Sequence, residues 1–198
     1  MLASLIEKIP MKLPVPVEGM VPLVSYRPTR SGRHSQRYDE RGSRLVVGCI
    51  PYRYKKTEEI DSNDEMIEVL VINAHNGKGV LFPKGGWEHD DESMEEAAVR
   101  ETLEEAGVVG NIECKLGKWS YESKRQNTVH EGHMFPMFVK QELDLWPEKN
   151  TRTRKWITIT KAREECPHLW MREALEELVS RQQMQPRTQE EVDRTTCK

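Results

Sequence analysis

Residues 86–108, GWEHDDESMEEAAVRETLEEAGV, place a glycine turn before an acidic helix. Glu101, Glu104 and Glu105 are separated by helical spacings of three and four, so we expect their side chains on one face. Like charges on one face repel each other and destabilise a bare helix. A cluster of carboxylates of this kind is what a hard divalent cation needs, because it takes oxygen ligands. The alternative interpretation is a solvated acidic helix face.

The spacing of glycine, arginine and glutamate in this stretch resembles the Nudix box, Gly-x5-Glu-x7-Arg-Glu-U-x-Glu-Glu-x-Gly-U, where U is bulky and aliphatic. The resemblance runs from Gly86 to Val108 and includes Glu92. Thr102 stands where an aliphatic residue is usual, but its β-branched side chain can still pack. The register makes Gly86, rather than Gly85, the box glycine, which implies one extra residue in the loop.

The resemblance implies a role for each conspicuous side chain of the box. Glu101 and Glu105, together with Gly85, are the predicted metal ligands. Glu104 is the predicted general base, and Arg100 is predicted to orient a glutamate by a charge-assisted hydrogen bond, with a surface arginine as the alternative. The implied cofactor is Mg²⁺, with Mn²⁺ as a substitute.

Four segments, one of which overlaps the start of the box, narrow the resemblance to a subgroup of the family. They look like plant Nudix hydrolases related to diphosphoinositol polyphosphate phosphohydrolases, over about Ser31 to Val179. Members of this group cleave diphosphoinositol polyphosphates, and several also cleave diadenosine polyphosphates. The implied reaction is hydrolysis of a P–O–P bond by in-line attack of water. The segments are FPKGGWE (82–88), GCIPYR (48–53), QRYD (36–39) and WM (170–171).

Charge is distributed unevenly along the chain. Residues 27–56 are rich in arginine and lysine, whereas acids concentrate in the box helix and in the last predicted helix. A basic segment beside an acidic metal site suits a highly phosphorylated substrate. Ordinary solvated basic residues are the alternative. The predicted substrate contacts are Arg37, Arg44, Lys84, Lys124, Arg125, Arg152 and Arg154, and His130 and His133 are weaker candidates.

Length and composition fit one enzyme domain with tails. The chain has 198 residues, of which 32% are charged and 36% hydrophobic. We expect a flexible leader at 1–30, a Nudix domain at 31–184 and a mobile tail at 185–198. Four cysteines without a Cys-x-x-Cys pair are interpreted as reduced thiols and argue against a zinc site.

Composition and charge also predict the partners, the oligomeric state and the compartment of the protein. No apolar run approaches the length of a membrane span, and a net charge of −3 does not indicate nucleic-acid binding. We expect a monomer that acts on a small polyphosphorylated molecule. The predicted compartment is the cytoplasm, with the nucleus, mitochondrion or plastid as alternatives.

The apolar pattern predicts a mixed β-sheet between helices. The fold class is α/β, and the Nudix resemblance implies the same α/β/α sandwich. Ser93 with Glu96 predicts a capping box at the start of the box helix, and Gly107 predicts its end. Strands are predicted at 44–54, 66–73, 115–124, 133–140 and 155–159, and later helices from 160 and at 170–183.

Two other functional classes remain open. A binding module would keep the fold but lose the chemistry, and the intact set of three glutamates argues against it. An RNA-decapping or nucleotide-pool enzyme is the catalytic alternative. It would favour an aromatic sandwich around a base, which the sequence does not locate.

Overall fold

A computed structural model describes residues 36–55, 67–74, 79–91, 93–123 and 128–184. The predicted leader and tail, together with Glu92, Lys124 and Arg125, lie outside these ranges. Within them, no helix is long and apolar enough to cross a membrane. The elements in chain order are β1 (Arg44–Tyr54), β2 (Ile67–Asn73), β3 (Val80–Leu81), β4 (Lys84–Gly86), α1 (Met94–Ala106), β5 (Val108–Ile112), β6 (Gly117–Ser123), β7 (Thr128–Glu142), β8 (Arg154–Thr158), α2 (Ile159–Glu165) and α3 (Leu169–Met184).

The strands form one eight-stranded mixed sheet whose main path is β3-β2-β1-β7-β5. The long central strands β1 and β7 run parallel, in register from Arg44↔His130 to Tyr52↔Phe138. The other pairs are antiparallel, with β4 beside β1, β6 beside β7 and β8 beside β2. The predicted mixed sheet is confirmed.

Strand β1 is apolar along its length because both of its faces are covered. Its residues are buried from Leu45 to Tyr52, as expected for a central strand. Helix α1 packs on one face, where Cys49 Sγ lies 3.6 Å from the carbonyl oxygen of Ala98. On the other face, Trp170 of α3 stacks on Tyr121 of β6. Helices therefore lie on both faces of the sheet, which confirms the predicted sandwich.

Two short strands differ from the sequence prediction. Strand β5 was not predicted, because it follows α1 directly and contains Gly110 and Asn111, which weaken a strand pattern. The glycine is required there, since a Cβ atom would collide with the backbone of Phe138. Strand β4 was predicted as a turn, yet it pairs with β1 in the register Lys84↔Gly48.

Both ends of α1 are fixed as the sequence predicts. Ser93 Oγ accepts a hydrogen bond from the backbone N–H of Glu96, and Glu96 Oε2 accepts one from the N–H of Ser93, each at 3.1 Å. Gly107 adopts the left-handed conformation, with φ 61°, and its N–H donates to Leu103 O at 3.0 Å. The capping box and the glycine stop are confirmed.

The inner face of α1 carries an unexpected residue. Thr102 is fully buried, and its hydroxyl donates to the carbonyl oxygen of Ala98 at 2.7 Å. The neighbouring Leu103 is only half-buried. Thr102 can occupy the apolar face because its hydroxyl bonds to the preceding helical turn.

The cysteine prediction holds only in part. Cys49 and Cys166 are free and buried, and burial raises the pKa of the Cys49 thiol to about 12. Cys114 is disulfide-bonded, so the prediction of four reduced thiols is wrong. The spacing of cysteines along a chain does not show which distant segments meet in the fold.

We expect Ser93→Ala to lower the free energy of unfolding by about 1 kcal/mol, because the N–H of Glu96 loses its acceptor. Urea unfolding followed by circular dichroism measures the change. Ser180→Ala is the matched control, since Ser180 is exposed in α3 and should shift the value by less than about 0.5 kcal/mol. Equal effects of the two substitutions would contradict a capping role for Ser93.

Candidate active site

The predicted metal ligands of α1 lie against strand β4. The carboxylate of Glu101 fills the space beside Gly85, where a Cβ atom would collide with it. Glu105 Oε2 accepts a hydrogen bond from the backbone N–H of Lys84 at 2.7 Å. The structure thus brings Glu101, Glu105 and Gly85 together.

Arg100 connects the box loop, β4 and the acidic face of α1. Its Nε and Nη2 atoms donate to the two carboxylate oxygens of Asp91, at 2.9 and 2.8 Å. Its Nη1 atom donates to Glu101 Oε1 at 2.7 Å and lies 3.8 Å from Glu104 Oε1. Its Nη2 atom also donates to the carbonyl oxygen of Gly86 at 3.1 Å. Arg100 therefore has the contacts of a residue that orients glutamates.

Burial changes the proton affinity of two of the glutamates. It raises the pKa of Glu101 to about 7, against the lowering effect of Arg100, and the charges of Glu105 and Glu104 add to the rise. Burial also raises the pKa of Glu104, and nearby carboxylates add to this effect, again against Arg100. A raised pKa is what a carboxylate needs to accept a proton near neutral pH.

The donors of this site suit a hard divalent cation, although the side chains do not converge on one point. Within the described ranges, no group of three or more His, Cys, Asp or Glu side chains is arranged to hold a metal ion. Arg100 bonds to Glu101, and Arg152 bonds to Glu105. The available donors are carboxylate oxygens and the backbone oxygen of Gly85, which match the preference of Mg²⁺ for oxygen.

Two predicted substrate contacts, Arg44 and Lys84, lie near each other. Arg44 donates through Nε and Nη2 to Gln36 Oε1, at 2.9 and 2.7 Å. Among the described residues, Lys84 Nζ has no hydrogen-bond or ion-pair partner. The pKa of His130 is lowered by burial and by the charges of both cations, so both act on the same imidazole. Arg44 is the register partner of His130, and its Nη2 atom lies beside Gly86, which is on the same face of β4 as Lys84. Arg44, Lys84 and His130 thus form one group, which we call the basic mouth.

Arg37, predicted to bind a substrate phosphate, contacts the box loop in the structure. Its guanidinium lies over the ring of Trp87, 4.4 Å from the centroid. It also donates to the carbonyl oxygens of Glu88, His89 and Asp91, at 3.0, 3.2 and 3.1 Å. These contacts hold the box loop, and the contact of Arg37 with substrate stays a prediction.

Arg154 likewise bonds within the protein. It donates to the carbonyl oxygens of Ala106, Gly107 and Leu143, at 2.7–2.8 Å. Its guanidinium lies over the ring of Trp146, 4.3 Å from the centroid. These contacts satisfy carbonyls at the end of α1, where a cation is favourable. Arg154 therefore caps the end of α1, and its contact with substrate stays a prediction.

Arg152 is buried, with 5% of its side chain exposed. It forms an ion pair with Glu105 Oε1, donates to Glu148 Oε2 at 3.2 Å and donates to the carbonyl oxygen of Asn73 at 3.0 Å. The Arg152 side chain therefore contacts the predicted metal ligand Glu105, and its contact with substrate stays a prediction.

Sequence reasoning missed three contacts that shape the site. Asp91 accepts two hydrogen bonds from one edge of the Arg100 guanidinium, Gln36 accepts from Arg44, and Arg152 donates to Glu105. The box pattern gives a signal for the first, since Asp91 lies in its loop. Gln36 and Arg152 lie far from their partners in the chain, and no local spacing indicates them.

A cavity of about 640 Å³ lies between the turn at 39–43 and the hairpin of β6 and β7. Its lining mixes acids with bases, so it does not have the uniform positive charge of a polyphosphate site. The lining residues are Asp39, Glu40, Arg41, Gly42, Ser43, Lys118, Ser120, Thr128, Val129 and Glu131.

Comparisons with known proteins agree with this geometry. The Caenorhabditis elegans Ap4A hydrolase, solved as a binary complex, matches with a TM-score of 0.54 and 21% identity, over 71% of this chain and 98% of that one, which shows a shared fold. Mouse diphosphoinositol polyphosphate phosphohydrolase 3-alpha is 29% identical over 127 residues, covering 63% of this chain and 70% of its own length. This likeness is too distant to confirm the predicted subgroup.

Plant relatives are much more similar. Nudix hydrolase 4 of Arabidopsis thaliana is 54% identical over 181 residues, which cover 90% of this chain and 85% of that protein. The NUDIX domain family matches residues 44–182. The chain therefore belongs to the Nudix hydrolases, enzymes that use divalent metal ions to cleave pyrophosphate bonds.

Proposed function

We propose that this Nudix hydrolase cleaves the pyrophosphate group of diphosphoinositol polyphosphates. The observation that carries the proposal is that the short strand β4 has the basic mouth on one face and Glu101 of α1 on the other. Lys84 directly precedes Gly85, whose neighbouring space holds the Glu101 carboxylate. The Lys84 side chain points to the face of β4 opposite Glu101, the face on which Arg44 also lies, so a substrate that reaches both the basic mouth and the predicted catalytic carboxylates would extend around this strand. The distant likeness to a mouse enzyme named for this substrate supports the same assignment.

The aromatic residues near the basic mouth favour inositol phosphates over nucleotides. The rings of Tyr121 and Trp170 stack on each other with centroids 4.6 Å apart and an interplanar angle of 8°. Rings in direct contact leave no space for a base between them. Diadenosine polyphosphates remain the alternative substrate, and mRNA caps are a weaker one.

We assign the chemistry to the residues of α1. Glu104 accepts the proton of the water that attacks one phosphorus atom, while the bridging oxygen leaves on the other phosphate with the electron pair of the broken P–O bond. Arg100 orients Glu101 and lies within ion-pair distance of Glu104. The basic mouth holds the charged phosphates in line for this attack.

A divalent cation, Mg²⁺ or Mn²⁺, completes the proposed site. Glu101, Glu105 and Gly85 are the residues that would hold it. Bound there, it would neutralise charge on the phosphates and lower the pKa of a coordinated water.

The oligomeric state, the compartment and the partners of the enzyme are also proposals. We propose a monomeric enzyme of the cytoplasm, built on a domain at 31–184, that acts on a small polyphosphorylated molecule without nucleic-acid or membrane partners. Arabidopsis relatives bear names that include chloroplastic and mitochondrial forms, so those compartments remain alternatives.

A side-by-side substrate assay with Mg²⁺ tests the proposal. The panel contains diphosphoinositol polyphosphates, diadenosine polyphosphates, nucleoside diphosphate sugars and capped RNA. We expect the highest kcat/KM for a diphosphoinositol polyphosphate and loss of activity on chelation. A higher value for a diadenosine polyphosphate would replace the inositol assignment. Binding of inositol phosphates without phosphate release would indicate a non-catalytic module.

We expect Arg44→Gln combined with Lys84→Gln to raise KM for a diphosphoinositol polyphosphate more than for a nucleoside diphosphate sugar. Each lost charged contact costs about 1–3 kcal/mol when it is partly shielded from water, and the inositol substrate has more phosphates to lose. Steady-state kinetics at two salt concentrations measure the effect, which should weaken as salt rises.

The matched control combines Lys161→Gln with Arg163→Gln, which removes the same charges from α2. This pair should leave both KM values unchanged. Equal losses for the two substrates in the Arg44 and Lys84 variant would show that these side chains are ordinary solvated surface.

A further inference from the structure

We infer that Arg152 is a positioning residue that sets the Glu105 carboxylate for the divalent cation. The inference rests on the proposed role of Glu105 as a metal ligand. Arg152 lies outside the Nudix box and is 47 residues from Glu105 in the chain. Its role follows from three contacts made by one buried guanidinium.

Both oxygens of the Glu105 carboxylate are held by the protein. Arg152 Nη2 contacts Oε1, and the backbone N–H of Lys84 donates to Oε2 at 2.7 Å. Each carboxylate oxygen can accept more than one bond, so both remain able to bind a cation. The two contacts fix the plane of the carboxylate, which is how residues behind a metal ligand usually act.

Arg152 itself is held by different parts of the fold. Its Nε donates to Glu148 Oε2 at 3.2 Å, and its Nη1 donates to the carbonyl oxygen of Asn73, the last residue of β2, at 3.0 Å. The adjacent N–H of Thr153 donates to Asn73 Oδ1 at 2.9 Å. The planar fork of arginine makes these contacts at once, whereas a lysine ammonium does not reproduce them.

The geometry separates Arg152 from a purely structural arginine. A buried ion pair contributes little net stability compared with apolar packing, so stability alone does not explain the contact with Glu105. Arg154, two residues later, is also largely buried, but it donates to backbone carbonyls at the end of α1. It thus serves as a matched control that perturbs the same region without touching a predicted ligand.

The test measures Mn²⁺ binding to the full chain by electron paramagnetic resonance of free Mn²⁺. We expect Arg152→Gln to raise the Mn²⁺ dissociation constant about 10- to 100-fold, the usual effect of losing a residue that supports a metal ligand. If Arg152 served only as a counter-charge, its removal would instead tighten Mn²⁺ binding. Unchanged or tighter binding therefore overturns the inference.

Two further variants separate geometry from charge and from folding. Arg152→Lys keeps the charge but loses the fork, and we expect it to remain about fivefold or more weaker than wild type. Arg154→Lys should lower Tm while keeping the Mn²⁺ dissociation constant within about twofold. Wild-type affinity in Arg152→Lys, or an equal loss in Arg154→Lys, overturns the inference.

Glu105→Gln distinguishes failure of the inference from failure of the proposed site. We expect this variant to lose most Mn²⁺ binding. If Glu105→Gln binds Mn²⁺ like wild type, the proposed metal ligand is wrong. If it loses binding while Arg152→Gln does not, the metal ligand stands and the positioning role of Arg152 fails.

Discussion

Glu104→Gln should lower kcat by about a thousandfold while the protein remains folded. The substitution removes the proposed proton acceptor and one of the negative charges that face the cation. Glu104 keeps 12% of its side chain exposed, so an amide of nearly the same shape fits its place. Single-turnover phosphate release, with Mg²⁺ and saturating substrate, measures the chemical step.

Glu95→Gln is the control for Glu104→Gln. Glu95 is exposed in the first turn of α1, so its substitution removes the same charge from the same helix without reaching the candidate site. Its turnover should match wild type. Near-normal turnover in a folded Glu104→Gln protein would exclude Glu104 as the base.

Gly85→Ala should lower kcat about a hundredfold or more. An alanine Cβ at this position would collide with the carboxylate of Glu101, which must then move away from β4. Displacement of a catalytic group by about 1 Å is sufficient for a loss of this size. Gly85 is not among the glycines with positive φ, so the effect arises from the collision and not from backbone strain. Steady-state kinetics measure the loss of kcat, and thermal unfolding measures any accompanying loss of stability.

Gly42→Ala serves as the control for Gly85→Ala, because it should lower stability without changing kcat. Gly42 has φ 79°, and a Cβ atom there would meet nothing within 4 Å. Its substitution should cost about 1 kcal/mol of stability through backbone strain while leaving kcat unchanged. Wild-type kcat in Gly85→Ala would contradict the close approach of Glu101 to β4.

Much of the fold could be predicted because local patterns determine it. Strand β1 has the predicted bounds, since a doubly covered strand is apolar throughout. The ends of α1 follow from Ser93 and Gly107, which have local capping roles. Strand β5 was not predicted because it is short, contains Gly110 and pairs with β7, which is distant in the sequence.

The candidate site was predictable only where its residues are neighbours in the sequence. The box pattern places Arg100 beside the glutamates, and the structure shows those contacts. The basic residues are different, because sequence shows that an arginine is present but not which group it binds. Arg37 and Arg154 bond to backbone carbonyls, whereas Arg44 lies in the basic mouth.

The double anchoring of α1 has a consequence for the dynamics of the enzyme. A helix held by a capping box at one end and by Arg154 at the other has little freedom to fray. Its hydrogen-bonded amide protons should therefore exchange with solvent more slowly than those of a helix with uncapped ends. Catalytic groups on such a rigid support keep their alignment as different substrates enter, so changes in substrate choice can arise in the surrounding loops and strands without altering the chemistry.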